Sequence, residues 1–178
     1  MPRERTYSNG DGLILGYGTH TSDNAVPAVA AERGVRKTMT MLITGTELEL
    51  TTATAASLHP QGAIIKRGSL IKNATFTPTV AFTSAGAATL TIGTYKVGTI
   101  ATVDVAAGIT SASAITAFDA IGETVVCTGT LVNATIACGA TSDSDVEIVA
   151  IAGTAAFTAG KGILTIEYIE PNFAAVNN

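Results

Sequence analysis

From residue 38 onward apolar and polar residues alternate with a period of two, and that period confines the chain to strands. In Thr46-Glu47-Leu48-Glu49-Leu50-Thr51 the leucines face one way and the glutamates the other, as in a strand buried on one side. Ala88-Thr89-Leu90-Thr91-Ile92-Gly93-Thr94-Tyr95 repeats the pattern with Leu90 and Ile92 inward. Asp145-Val146-Glu147-Ile148 and Leu164-Thr165-Ile166-Glu167-Tyr168 repeat it again. Shorter candidates are Met39 to Thr44, Ala63 to Ile71, Val97 to Val103, Thr124 to Cys127 and Thr135 to Cys138. About eight or nine short strands, separated by Gly, Ser, Thr and Asn turns, predict an all-β sandwich or barrel. One segment departs from the period. Ile115, Phe118 and Ile121 recur every third residue, with Ser113 before them and Gly122 after. That spacing predicts a short capped helix closing one end of the sandwich. No long helices alternate with the strands, which argues against a doubly wound α/β fold.

Hydrophobic residues make up 47% of the 178 and charged ones 13%. No stretch approaches the roughly 20 uninterrupted apolar residues of a spanning helix, so a membrane partner is not expected. Apolar character spread over short segments predicts a core plus buried subunit contacts. Alanine dominates, Trp is absent, aromatics are 5%, and Thr supplies about one residue in six. Threonine suits a pleated surface, but small side chains bury little area each. A thin core of this kind gains from neighbouring subunits, which predicts an oligomer.

The net charge of −4 argues against nucleic acid as a partner, because phosphate neutralisation needs clustered Lys and Arg. Its distribution is uneven. Residues 1–76 hold eight basic and six acidic groups, for +2; residues 77–178 hold two and eight, for −6; together these give the −4 of the whole chain. Residues 1–37 read as an extended arm, 38–170 as the β-sandwich and 171–178 as a short tail. Turn formers fill Ser8-Asn9-Gly10-Asp11-Gly12, and Pro27 interrupts the apolar run Ala25 to Ala31, which disfavours a continuous helix. Such a segment either stays disordered or orders against another subunit. Tyr7, Leu13, Ile14, Leu15 and Tyr17 are more apolar than a solvated tail needs, which favours docking.

Catalytic patterns are missing. His20 and His59 are the only histidines, and nothing in sequence nominates a nucleophile or an orienting carboxylate for either. Cys127 and Cys138 lack metal-ligand spacing and read as small buried hydrophobes. No apolar leader follows Met1-Pro2-Arg3, so synthesis in a reducing cytoplasm without a disulfide is expected. Asn73-Ala74-Thr75 and Asn133-Ala134-Thr135 match the glycosylation sequon but carry no weight without secretion. Gly160-Lys161-Gly162 fails the phosphate-loop pattern, with Ala155 and Gly162 at two required positions, and Thr158 to Lys161 reads as a hairpin turn. Ser142-Asp143-Ser144-Asp145 is a fragment of a calcium loop without the remainder and reads as a solvated turn. The scattered tyrosines, among them Tyr95 and Tyr168, offer no aromatic platform for a carbohydrate. No enzyme activity, cofactor or metal is expected.

The segments His59-Pro60-Gln61-Gly62-Ala63-Ile64-Ile65, Val80-Ala81-Phe82-Thr83 and Ala87 to Thr94 resemble a pattern in tailed-bacteriophage virion proteins. Phe118-Asp119-Ala120-Ile121-Gly122 and Thr158 to Ile166 are similar to the same group, so the resemblance covers roughly residues 57 to 169. It implies a jelly-roll-like head protein of the decoration or cement type. Such a protein is often a homotrimer on the exterior of the virion head that clamps the major capsid protein. The arm lies outside the resemblance. On charge alone, Arg3, Arg5, Arg33, Arg36 and Lys37, with Tyr7 and Tyr17, are the candidate capsid or subunit interface. A tail, fibre or knob component that binds receptors or carbohydrate is the alternative.

Overall fold

A computed structural model describes residues 5–8, 14–17, 35–47, 63–99 and 101–170. The chain divides into two compact units, Met1–Glu32 and Arg33–Asn178. In the first, β1 (Arg5–Ser8) and β2 (Ile14–Tyr17) pair antiparallel, from Arg5 opposite Tyr17 to Ser8 opposite Ile14. The expected extended arm therefore contains a hairpin. Its two strands flank the run of turn formers that begins at Ser8.

The second unit holds β3 (Val35–Thr44), β4 (Ile64–Ile65), β5 (Leu70–Ser84), β6 (Thr89–Lys96), β7 (Val103–Ala114), β8 (Val125–Val126), β9 (Val146–Gly153) and β10 (Phe157–Glu170). They form two four-stranded antiparallel sheets, β3-β10-β5-β8 and β4-β9-β6-β7. Most successive strands switch sheet, and each sheet interleaves strands from both halves of the unit. This is an all-β sandwich. It starts earlier than expected: Arg36 and Lys37, grouped by sequence with the arm, lie within β3.

Alternating burial fills the space between the sheets. Met41 and Ile43 of β3, Leu164 and Ile166 of β10, and Ala74 and Phe76 of β5 face Leu90 and Ile92 of β6 and Val146 and Ile148 of β9 in one buried cluster. Four phenylalanines close one end, since small aliphatic side chains alone leave a core this thin short of buried area. Phe82 meets Phe118 at 5.1 Å and Phe157 at 5.4 Å between ring centroids, both edge to face. Phe76 joins them at 5.6 and 5.7 Å.

That aromatic cluster explains two departures from the sequence reading. Thr158 to Lys161 is not a turn. It lies inside β10, where the register with β5 shifts on both sides of Ala159. The connection from β9 falls earlier, at Thr154, whose φ of 67° is left-handed. Gly160 and Gly162 are needed because a Cβ at either position would enter the ring of Phe82 or Phe76. The expected helix across Ser113 to Gly122 reduces to a single 3-10 turn, Ile115–Ala117, at the end of β7. Phe118 alone of the spaced triad is fully buried, Ile115 is half-buried, and Ile121 is exposed. One aromatic anchor pinned to the core mimicked a helical period.

Three shorter expectations also change. Val97–Gly98 form the turn after β6, and strand structure resumes only at Val103. Thr135 to Cys138 is irregular, held by Cys138 N–H to the Ser69 carbonyl at 2.9 Å. Thr46 and Glu47 belong to a 3-10 turn, Gly45–Glu47, and Leu48 to Thr51 lie outside the described residues, as do 171–178.

Candidate functional site

The outward side chains of the β3-β10-β5-β8 sheet follow from strand register, because inward Leu164, Ile166 and Gly162 leave Lys161, Ile163, Thr165 and Glu167 on the other face. Register extends this set sideways. Thr44, Lys161 and Val80 form one row; Leu42, Ile163 and Thr77 the next. Thr40, Thr165, Thr75 and Val126 form the third, and Thr38, Glu167 and Asn73 the fourth. Thr77 and Thr124 hydroxyls join at 3.3 Å, which continues the second row toward β8.

Large apolar side chains stand open on this face. Leu42 is 54% exposed, Val126 62%, Val80 45% and Ile163 38%. Beside them Ile121 is also exposed, on a loop tied to β5 by Gly122 N–H to the Pro78 carbonyl at 3.0 Å. Isolated exposed apolar residues are ordinary, but a contiguous group rimmed by polar ones marks a contact surface. The threonines add β-branched area with few conformations to lose. Lys161 and Glu167 are the charged members at the two ends of the β10 row. β3 borders the sheet with ten residues and no proline, an edge open to further pairing among the described residues.

The residues that sequence favoured are spread differently. Arg5 and Tyr17 are direct backbone partners in the hairpin, and Tyr7 stands opposite Leu15. Arg3 and Arg33 lie outside the described residues, as do His20 and His59. Arg36 is exposed on β3 opposite Ile169. Lys37 is engaged within its own sheet: its ammonium pairs with Glu170 Oε2, and Lys66 reaches Glu170 Oε1 at 3.4 Å. Arg36 lies on the outward side of β3, whereas Lys37, opposite the buried Tyr168, lies on the other side.

A groove of about 680 Å³ runs along Lys66, Arg67, Ala137, Cys138 and Asp145. Its charges are already committed. The Arg67 guanidinium pairs with Asp143, and its backbone N–H donates to Asp145 Oδ1 at 2.9 Å. Burial, with the Asp104 carboxylate adding to it, pushes the Cys138 thiol up to about 12, and burial pushes Cys127 up to about 11. Neither offers a thiolate near neutrality. Both cysteines are free and buried. No group of three or more His, Cys, Asp and Glu side chains that could hold a metal occurs among the described residues. No helix among them is long and apolar enough to cross a membrane.

Asp104, on β7, is the most heavily hydrogen-bonded carboxylate among the described residues. Its Oδ2 accepts from the Thr94 hydroxyl and the Gly139 N–H at 3.0 Å each, and its Oδ1 from Thr141 and Ser142 N–H at 3.1 and 2.9 Å. Burial alone would raise its pKa, but the hydrogen bonds from Ser142, Gly139 and Thr94 outweigh it and hold the carboxyl below its usual 3.8. Every acceptor position is filled by the protein itself, so Asp104 ties the 139–142 loop to β7 and β6.

No family model matches the chain, and no curated protein matches it. Among solved structures it is similar to a chain of the cyanophage Pam1 capsid asymmetric unit, with a TM-score of 0.53 at 15% identity. The match covers 87% of this chain and 98% of that one, so the likeness of fold extends over the whole neighbouring chain.

Proposed function

We propose that this chain is a structural protein of a tailed-phage virion, a decoration or cement subunit that binds the assembled head shell and stabilises it. The observation that carries this reading is the fold likeness to a chain of a phage capsid asymmetric unit over 98% of that chain. The open apolar and threonine-rich sheet face supports it, because it offers contact area and no reactive group. The partners are the major capsid protein and further copies of the chain, as a homotrimer on the head exterior, made in the host cytoplasm. The role is not catalytic and uses no cofactor. Several modest contacts on one oligomer act at high effective concentration, which is how a small subunit resists the pressure of packaged DNA.

In this reading the N-terminal unit, with Arg3, Arg5, Tyr7 and Tyr17, docks on an acidic part of the shell. Because β3 begins at Val35, a clean test removes residues 1–32 and keeps the sandwich intact. The full chain is expected to co-sediment with undecorated heads, and the truncated chain to lose most of that binding. Full occupancy by the truncated chain would remove the docking role from the N-terminal unit. Binding in a few copies at the tail would replace the head assignment with a fibre or knob role.

A further inference from the structure

We infer that the outer face of the β3-β10-β5-β8 sheet is a self-contact, on which a second copy of this chain packs with β10 facing β10 in the opposite direction. On β10 the outward sequence runs Lys161, Ile163, Thr165, Glu167. One positive and one negative group thus flank an uncharged centre, each three residues from Leu164. At about 3.3 Å per residue the two charges stand roughly 20 Å apart. A two-fold axis over Leu164 places Lys161 of each copy over Glu167 of the other, and Ile163 over Thr165. Leu42 and Thr77, in the same row as Ile163, widen the apolar centre.

The geometry closes with ordinary dimensions. Sheets packed face to face lie about 10 Å apart with strand directions within about 30°. At roughly 10 Å from the axis that rotation displaces a residue by about 5 Å, a distance that a lysine stem covers. Three strands at about 4.8 Å spacing and nine or so residues long, with the two-residue β8 beside them, give a face of roughly 450 Å² in plan. That is about half of the ~800 Å² per partner of a standard interface, the size of a modest, concentration-dependent contact.

Charge decides the occupant. The ion pairs among the described residues join Lys37 and Lys66 to Glu170, and Arg67 to Asp143; Lys161 and Glu167 take part in none of them. A foreign surface has no need of opposite charges placed symmetrically about an apolar midpoint. A second copy does, because a two-fold contact must complement itself. The contact is separate from the three-fold one proposed above and links neighbouring copies on a shell in pairs. It is read in solution without heads, so its failure leaves the head assignment standing.

The test uses the full chain with Lys161→Glu, Glu167→Lys and the double substitution, followed by sedimentation across a concentration series. Each single variant sets like charges opposite each other and is expected to weaken this association about ten-fold or more. The double variant exchanges the ends and is expected to return to within about three-fold of the wild type. An equimolar mixture of the two single variants is expected to pair as tightly as the wild type, since each then meets its complement. Unchanged thermal melts establish that the variants fold. The inference is overturned if the single variants associate like the wild type, or if neither the double variant nor the mixture recovers. Loss of head binding by the single variants with self-association unchanged would also overturn it, and would assign the face to the shell protein.

Discussion

Asp104 gathers three loop N–H groups and one hydroxyl onto a single buried carboxylate, so much of the order of the 139–142 loop rests on one ionised group. Its folded pKa is held below the ordinary 3.8. The stabilisation it contributes is therefore fully present above pH ~4 and is lost as pH falls through the folded value. Asp104→Asn keeps the shape but replaces one acceptor oxygen with a donor, which leaves at least one buried N–H unmatched. Urea denaturation at neutral pH should show a loss of about 2 kcal/mol. The gap between variant and wild type should narrow when the measurement is repeated near pH 3, because the wild-type carboxyl is then closer to neutral. A gap that is the same at both pH values would contradict the linkage. None of this was legible in sequence, since Thr94, Asp104 and Gly139 are brought together only by the β6-β7 hairpin and a loop from beyond β8. The burial of Cys127 and Cys138 was legible, because small apolar residues without metal spacing have few other places to go.

Among the elements, β10 shows both how far alternation reads and where it stops. Leu164, Ile166 and Tyr168 were expected on one face and are buried there; Thr165 and Glu167 fall on the other. In the N-terminal part of the same strand, Gly160 and Gly162 flanking a lysine give the sequence the look of a turn. Glycine there answers a different demand, the rings of Phe82 and Phe76 lying where side chains would begin. Gly162→Ala adds a methyl group to a filled aromatic cluster and should cost about 1–3 kcal/mol, read as a lowered urea midpoint with an unchanged slope. Phe76→Leu in the same chain should recover part of that loss by vacating the ring position. A fully neutral Gly162→Ala would mean that the cluster is looser than its edge-to-face geometry implies. The missed helix has a related cause: Phe118 is anchored by the same cluster, and its spacing to Ile115 and Ile121 reflected no helical face.

For the whole molecule, the period of two was enough to reach an all-β sandwich, but register was needed to find the surface. Leu42, Thr77, Val126 and Ile163 are distant in sequence, and only the order β3-β10-β5-β8 sets them side by side. Of the charged residues that the sequence favours, Lys37 lies on β3 and is satisfied by Glu170. In the proposed function, the open apolar face, the end charges of β10 and the N-terminal unit all serve repeated contact. The central claim is that these contacts are made on a phage head. Electron cryomicroscopy of undecorated heads saturated with the purified chain tests it most directly. The account predicts ordered density for the sandwich at repeating positions over the outer shell, in copy number proportional to the major capsid protein. Heads whose surface stays bare at saturating concentration would contradict it.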